Sequence, residues 1–168
     1  MTTDQHDEGA AFEALVAQLN YPMFVVTTAA GGKRAGCLVG FTSQVSIHPR
    51  RFLVGLSNKN YTYRVAAQSG HLAVHVLAAH DLALARLFGE NTGDQVDKFA
   101  RCAWHEGPQG LPILEDAVAW FCGPIVERLP LGDHIAFLLE PDSGRAAGDT
   151  GSLVTFGDVT DFEPGHSA

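Results

Sequence analysis

The residues best equipped for chemistry in this 168-residue chain lie between positions 36 and 62. They read GCLVGFTSQVSIHP, RRFLVGLS and NKNYT in succession: two runs of strand character, each ending in small polar residues, the second followed by a Ser/Asn/Lys/Thr loop. Small hydroxyl residues at a strand edge leave backbone N–H groups open to a flat, polar-edged ring, and such a loop can hold a phosphate on its tail. A ring and tail of that description suggest flavin mononucleotide, FMN. Gly132-Asp133-His134 adds a shorter signal that the same site handles a reduced nicotinamide. Taken one at a time, the strand edge is equally an ordinary bulged edge, the loop a solvated turn and His134 a satisfied histidine at a strand start.

The elements that must position these residues can be read from periodicity. Phe12, Leu15, Val16 and Leu19 fall at helical spacing over residues 10–19, and Tyr21-Pro22 stops that helix. Residues 22–28 form an apolar, β-branched run, residues 30–34 a Gly-rich turn, and strand character resumes from Gly36, so the two segments predict a hairpin. Residues 46–49 break the second strand; residues 52–56 form another, and residues 61–68 predict a short helix ended by Gly70. Residues 71–77 alternate with period two, so Leu72, Val74 and Val76 are expected to face the core, opposite His71, Ala73, His75 and Leu77. A helix over 81–88, with Asp81 in its first turn and Gly89 past its end, precedes strands at 118–127 and 133–139 joined by a turn at 129–132. Residues 152–156 predict one more strand. The expected fold is mainly β, a closed or nearly closed antiparallel barrel of six or seven strands with a few short helices. One domain over 10–160 is expected, between a disordered tail (1–9) and a frayed one (161–168).

Composition narrows the partners. A net charge of −8, with Lys33-Arg34 and Arg50-Arg51 the densest basic pairs, argues against nucleic acid and anionic membrane surfaces. Cys37, Cys102 and Cys122 are widely spaced and odd in number, which indicates neither a disulfide framework nor a zinc site, and a reducing cytoplasm fits. The acidic N-terminus has no leader-like pattern, and no apolar run approaches the roughly 20 residues of a membrane span.

One ordered set of segments now stands out: Gly36, Phe41-Thr42-Ser43, Val45-Ser46, Pro49, the strand 52–56, the loop 57–62, Ser69-Gly70, 72–77, Asp97-Lys98-Phe99 and Gly132-Asp133-His134. Over residues 20–140 this succession resembles the flavin reductase-like family. The resemblance implies an FMN-binding split barrel, a homodimer, that takes hydride from NADH or NADPH and passes reducing equivalents on, for instance as reduced flavin to a partner monooxygenase. By the same resemblance, Gly40, Phe41, Thr42 and Ser43 line the isoalloxazine ring, while Ser57, Asn58, Lys59, Asn60 and Thr62 take the phosphate and ribityl chain. Lys59 or Lys98 is the charge partner of the phosphate. Phe99 covers one edge of the ring or belongs to the core. His134 stands beside the nicotinamide as a positioning residue, with Asp133 fixing its tautomer or capping a turn.

The chain departs from the family pattern in several places. An Ala-Asn-Ser type segment before the phenylalanine is replaced by Leu38-Val39-Gly40, Gln44 is an extra residue, His75 replaces an asparagine-type residue and His48 an acidic one. Arg50 and Arg51 replace a more apolar pair, and either serve a nicotinamide 2′-phosphate or flavin adenylate or are solvated after a turn. FAD is the alternative to FMN. A non-catalytic flavin carrier or redox sensor, or a deazaflavin-dependent oxidoreductase, is the rival reading; no histidine pair or carboxylate set suggests a metal site, and no residue stands out as a haem ligand.

Overall fold

The structure, a computed structural model, describes residues 9–165. The tail expected at 1–9 therefore lies outside the described residues except for Gly9, as do residues 166–168. The chain order is α1 (Ala10–Val16), β1 (Phe24–Ala30), β2 (Lys33–Val39), β3 (Thr42–Ser46), β4 (Arg51–Ser57), α2 (Tyr61–Ala66), β5 (His71–Val76), α3 (Leu82–Glu90), β6 (Trp104–Glu106), β7 (Pro112–Leu114), β8 (Ala119–Pro130), β9 (His134–Leu139) and β10 (Ser143–Arg145).

The main sheet is antiparallel throughout and runs β2-β1-β5-β8-β9-β4-β3, with β10 added against β8. It curls into a barrel whose split lies between β2 and β3, the two ends of this path, bridged by Gly40 and Phe41. Alternation along each strand sorts the side chains. Val26, Val54, Leu56, Leu72, Val74, Phe137 and Leu139 fill the barrel interior, whereas Val25, Leu77 and Val154 pack outside with Leu84, Ala85 and Phe88 of α3. Asp81 begins α3 by accepting a hydrogen bond from Leu84 N at 3.3 Å.

Several expectations need correction. β5 is buried on both faces, because α3 and the hairpin β6–β7 cover the side expected to be open; Ala73 and His75 are as buried as Leu72 and Val74. The run from Gly36 is not one strand but breaks at Gly40-Phe41, and α3 continues through Gly89. β8 continues through Pro130, so the turn is confined to residues 131–134. Residues 152–156 form only isolated bridges, Ala78 to Leu153 and Pro22 to Thr155. Within residues 161–165, Phe162 lies against the outer core with the Arg86 guanidinium 4.3 Å over its ring. α1 ends at Val16 and buries none of its residues. The extra residue near Gln44 is absorbed as a β-bulge between Gln44 and Ser46.

Candidate functional site

Two distant segments meet at one end of the barrel. Pairing of β4 with β9 sets Ser57 opposite His134, and beyond that pair Asn58 N donates to Asp133 O at 2.9 Å. The β8–β9 turn is closed by Leu131 N donating to His134 O at 2.9 Å, with Gly132 at φ +126°, a conformation that favours glycine. The Gly132-Asp133-His134 tip is thereby fixed against the turn that follows β4. That turn has its own bonds: Asn60 N donates to Ser57 O, Lys59 N to Ser57 Oγ at 3.3 Å, and Thr62 N to Asn60 Oδ1 at 2.8 Å, which caps α2.

A cavity of about 260 Å³ opens beside this junction, lined in part by Gly40, Phe41, Gly55, Ser57, Asn60 and His134. The His134 imidazole lies 4.9 Å from the Phe41 ring, tilted by 56°, and its Nδ1 is 2.7 Å from Asp133 Oδ1. Nδ1 donating its N–H to that carboxylate leaves Nε2 as the ring nitrogen available to a ligand. The His134 bond, and then its charge, hold the Asp133 carboxyl below the usual aspartate range, with the Lys59 charge adding to the effect.

Gly40, Phe41, Ser57, Asn60 and His134 are thus brought together around the cavity, with Asn58, Lys59 and Asp133 in the adjoining turns. Other candidates stand apart. Thr42 and Ser43 lie on β3, where the Ser43 hydroxyl donates to Gln44 O at 3.1 Å. Thr62 is buried in α2, its hydroxyl hydrogen-bonded to the Cys37 thiol, whose pKa burial pushes up. Lys98 is buried too, its Nζ donating to Gly36 O at 2.8 Å and Phe88 O at 3.2 Å, and desolvation lowers its pKa. With two carbonyls already holding it, Lys98 borders a separate cavity of about 350 Å³ bounded by Gly36, Tyr61 and Gly93. Phe99 packs edge-on between Phe88 and Trp104 at 5.7 Å from each, a core residue. Arg51 pairs with Glu140 at 3.1 Å at the end of β4 remote from Ser57, about 20 Å away for six residues of extended chain.

Residues the sequence did not single out complete the cavity wall: Tyr21, Met23, Cys37, Leu38, Val39, Leu56 and Phe156. Tyr21 reads in sequence only as part of a helix stop, and nothing local signals that Phe156, 135 positions later, stacks on it with centroids 5.0 Å apart. An apolar floor with aromatic sides and a few polar groups at one edge is the chemistry that a large flat heteroaromatic ring requires. The cation and amide-rich turn beside it suits a phosphate. The residues present therefore fit FMN, with Lys59 in that turn and the Lys98 ammonium already held by two carbonyls.

A family model described as "Flavin reductase like domain" matches residues 16–160. The FMN reductase (NADH) RutF of Variovorax paradoxus is 31% identical over 147 residues, covering 88% of this chain and 81% of that protein. Among solved structures, a flavin reductase domain protein from Arthrobacter superposes with a TM-score of 0.79 at 23% identity, covering 89% of this chain and 90% of the other. The NADH:FAD oxidoreductase of Streptomyces globisporus also aligns at TM-score 0.79 and 23% identity, over 93% and 92%. At those identities the two structures speak for the fold.

Proposed function

The chain belongs to the flavin reductase-like family, and from that premise we propose that it is an NADH-dependent FMN reductase, an oxidoreductase whose flavin sits over the β2–β3 crossing. The observation that carries this reading is the bond from Asn58 N to Asp133 O, which joins the expected phosphate turn and the expected nicotinamide histidine around one cavity. FMN, when bound, supplies the N5 atom that accepts hydride from nicotinamide C4.

The protein's task is placement. Gly40 and Phe41 support the ring, the turn over Ser57, Asn58, Lys59 and Asn60 holds the phosphate, and His134, oriented by Asp133, keeps the nicotinamide facing the ring. Holding the two rings about 3–3.5 Å apart does most of the catalysis, so no side chain need move a proton in the hydride step. We further assign a homodimer, a cytoplasmic setting and a partner monooxygenase that takes the reduced flavin. NADPH and FAD are the alternatives to test for donor and flavin.

The test is an anaerobic visible spectrum of the purified protein with FMN, before and after NADH and then NADPH. Flavin bands that bleach on adding NADH support the reductase. Bound flavin that neither nucleotide bleaches would favour the carrier, and a chain that neither binds FMN nor oxidises NADH with FMN added would overturn the reading.

A further inference from the structure

Part of the cavity wall is built by a segment that the family pattern does not mark. Tyr21 is pinned by backbone bonds to the last stretch of the chain: Phe156 N donates to Tyr21 O at 2.8 Å and Met23 N to Val154 O at 2.9 Å. Its ring stacks on Phe156 with an interplanar angle of 18°. The face so held closes on Gly40. A Cβ at residue 40 would stand 2.6 Å from Tyr21 Cε2 and 2.8 Å from Met23 Sδ, so only glycine admits Tyr21 there. Covalent geometry puts the Tyr21 hydroxyl next to Cε2, and burial raises its pKa, keeping it a neutral phenol.

By the family resemblance, position 40 falls in the Ala-Asn-Ser type segment that Leu38-Val39-Gly40 replaces. We propose that Tyr21 is the flavin-positioning residue of this chain: its ring edge occupies the space of a side chain at residue 40 in the cavity wall, and its hydroxyl hydrogen-bonds the flavin ring. The proposal rests on the flavin reading of this cavity. It makes the two positions a coupled pair, in which the glycine just past β2 admits a phenol brought in by the strand-entry segment and clamped by Phe156.

The test is FMN affinity by flavin-fluorescence titration, with the absorption spectrum of the bound flavin and the thermal midpoint recorded for each variant. Tyr21→Phe keeps the ring and the stack, so it should retain the wild-type midpoint, weaken FMN by about two- to tenfold, the range of one hydrogen bond, and shift the flavin bands. Tyr21→Ala should weaken binding further. Adding Gly40→Ser to Tyr21→Ala restores a hydroxyl where Tyr21 no longer blocks it and only the flexible Met23 tail must move, and binding should recover relative to Tyr21→Ala. FMN binding and bands identical in Tyr21→Phe and wild type would overturn the proposal, as would further weakening by Gly40→Ser in the Tyr21→Ala background. Wild-type protein that binds no FMN would instead overturn the flavin reading on which it rests.

Discussion

His134 and Lys59 occupy the same junction with different tasks, and their variants should separate. His134→Ala removes the group assigned to the nicotinamide and leaves the phosphate turn intact. Its NADH KM should rise about tenfold, roughly 1.4 kcal/mol, while FMN affinity stays within about twofold; steady-state kinetics with FMN titration would check both, and equal losses in each would refute the division. Lys59→Ala should weaken FMN several-fold yet leave riboflavin, which has no phosphate, unaffected, because an exposed cation makes only a modest charge-assisted contact. A matching loss for riboflavin would place Lys59 against the ring instead. The Asp133 carboxylate, its pKa lowered chiefly by the His134 bond, stays ionised at neutral pH and loses that bond only as pH falls through its depressed value. Asp133 should accordingly hold its end of that bond across the neutral range, and Asp133→Asn, which cannot ionise, should raise the NADH KM at pH 7; an unchanged KM would remove Asp133 as the group that orients His134.

Within the elements, His75 shows why the outer side of β5 is closed. Its Nδ1 contacts Val25 O at 3.0 Å and its Nε2 accepts from Leu114 N at 3.1 Å, so one neutral imidazole ties β1 and β5 to β7. Burial drives its pKa down to about 4. An unfolded histidine takes a proton near pH 6.5, so between about pH 6.5 and 4 the unfolded chain binds the extra proton and folding stability declines as pH falls. The full shift is worth about 3 kcal/mol. Urea unfolding at pH 7 and pH 4 should show wild type losing more stability than His75→Gln, which cannot titrate; equal losses would remove His75 as the source. Sequence alternation correctly separates His75 from Leu72 and Val74 but puts it on the open face. The misreading has a physical cause: β6 and β7 are three residues each, too short for periodicity to register, and they deliver Leu111 and Ile113 onto that face.

For the whole molecule, the unresolved business is apolar surface. Phe41, Val45, Ile47 and Leu131 are 58%, 50%, 67% and 61% exposed, the first three along the edge strand β3 and its approaches, beside the candidate cavity. An edge of that character is suited to a second copy. The cavity of about 260 Å³ falls just short of the range, about 300–1,000 Å³, of sites for drug-sized ligands, as expected if a partner completes it. Ile47→Lys should turn a dimer into a monomer by light scattering and weaken FMN in parallel; a monomeric wild type would refute the assignment. Much of this protein was legible in its sequence. The apolar runs of β1 and β4, the two-residue alternation of β5 and the turn chemistry of residues 57–62 are legible because each depends on neighbours close along the chain, and the ordered motifs from Gly36 to His134 add the family resemblance that points to a flavin. What only the tertiary structure decides is which motif residues share the cavity. In sequence Lys98 is an alternative to Lys59 at the phosphate and Phe99 is either ring cover or core; in the structure α3 and Gly36 draw the ammonium onto carbonyl oxygens, and Phe88 and Trp104 flank the Phe99 ring. Tyr21 and Phe156 read as an ordinary helix stop and strand end, yet backbone bonds across 135 positions stack them over Gly40. Local pattern specifies the direction of a side chain along its own element; what stands opposite it is set by packing between elements distant in sequence.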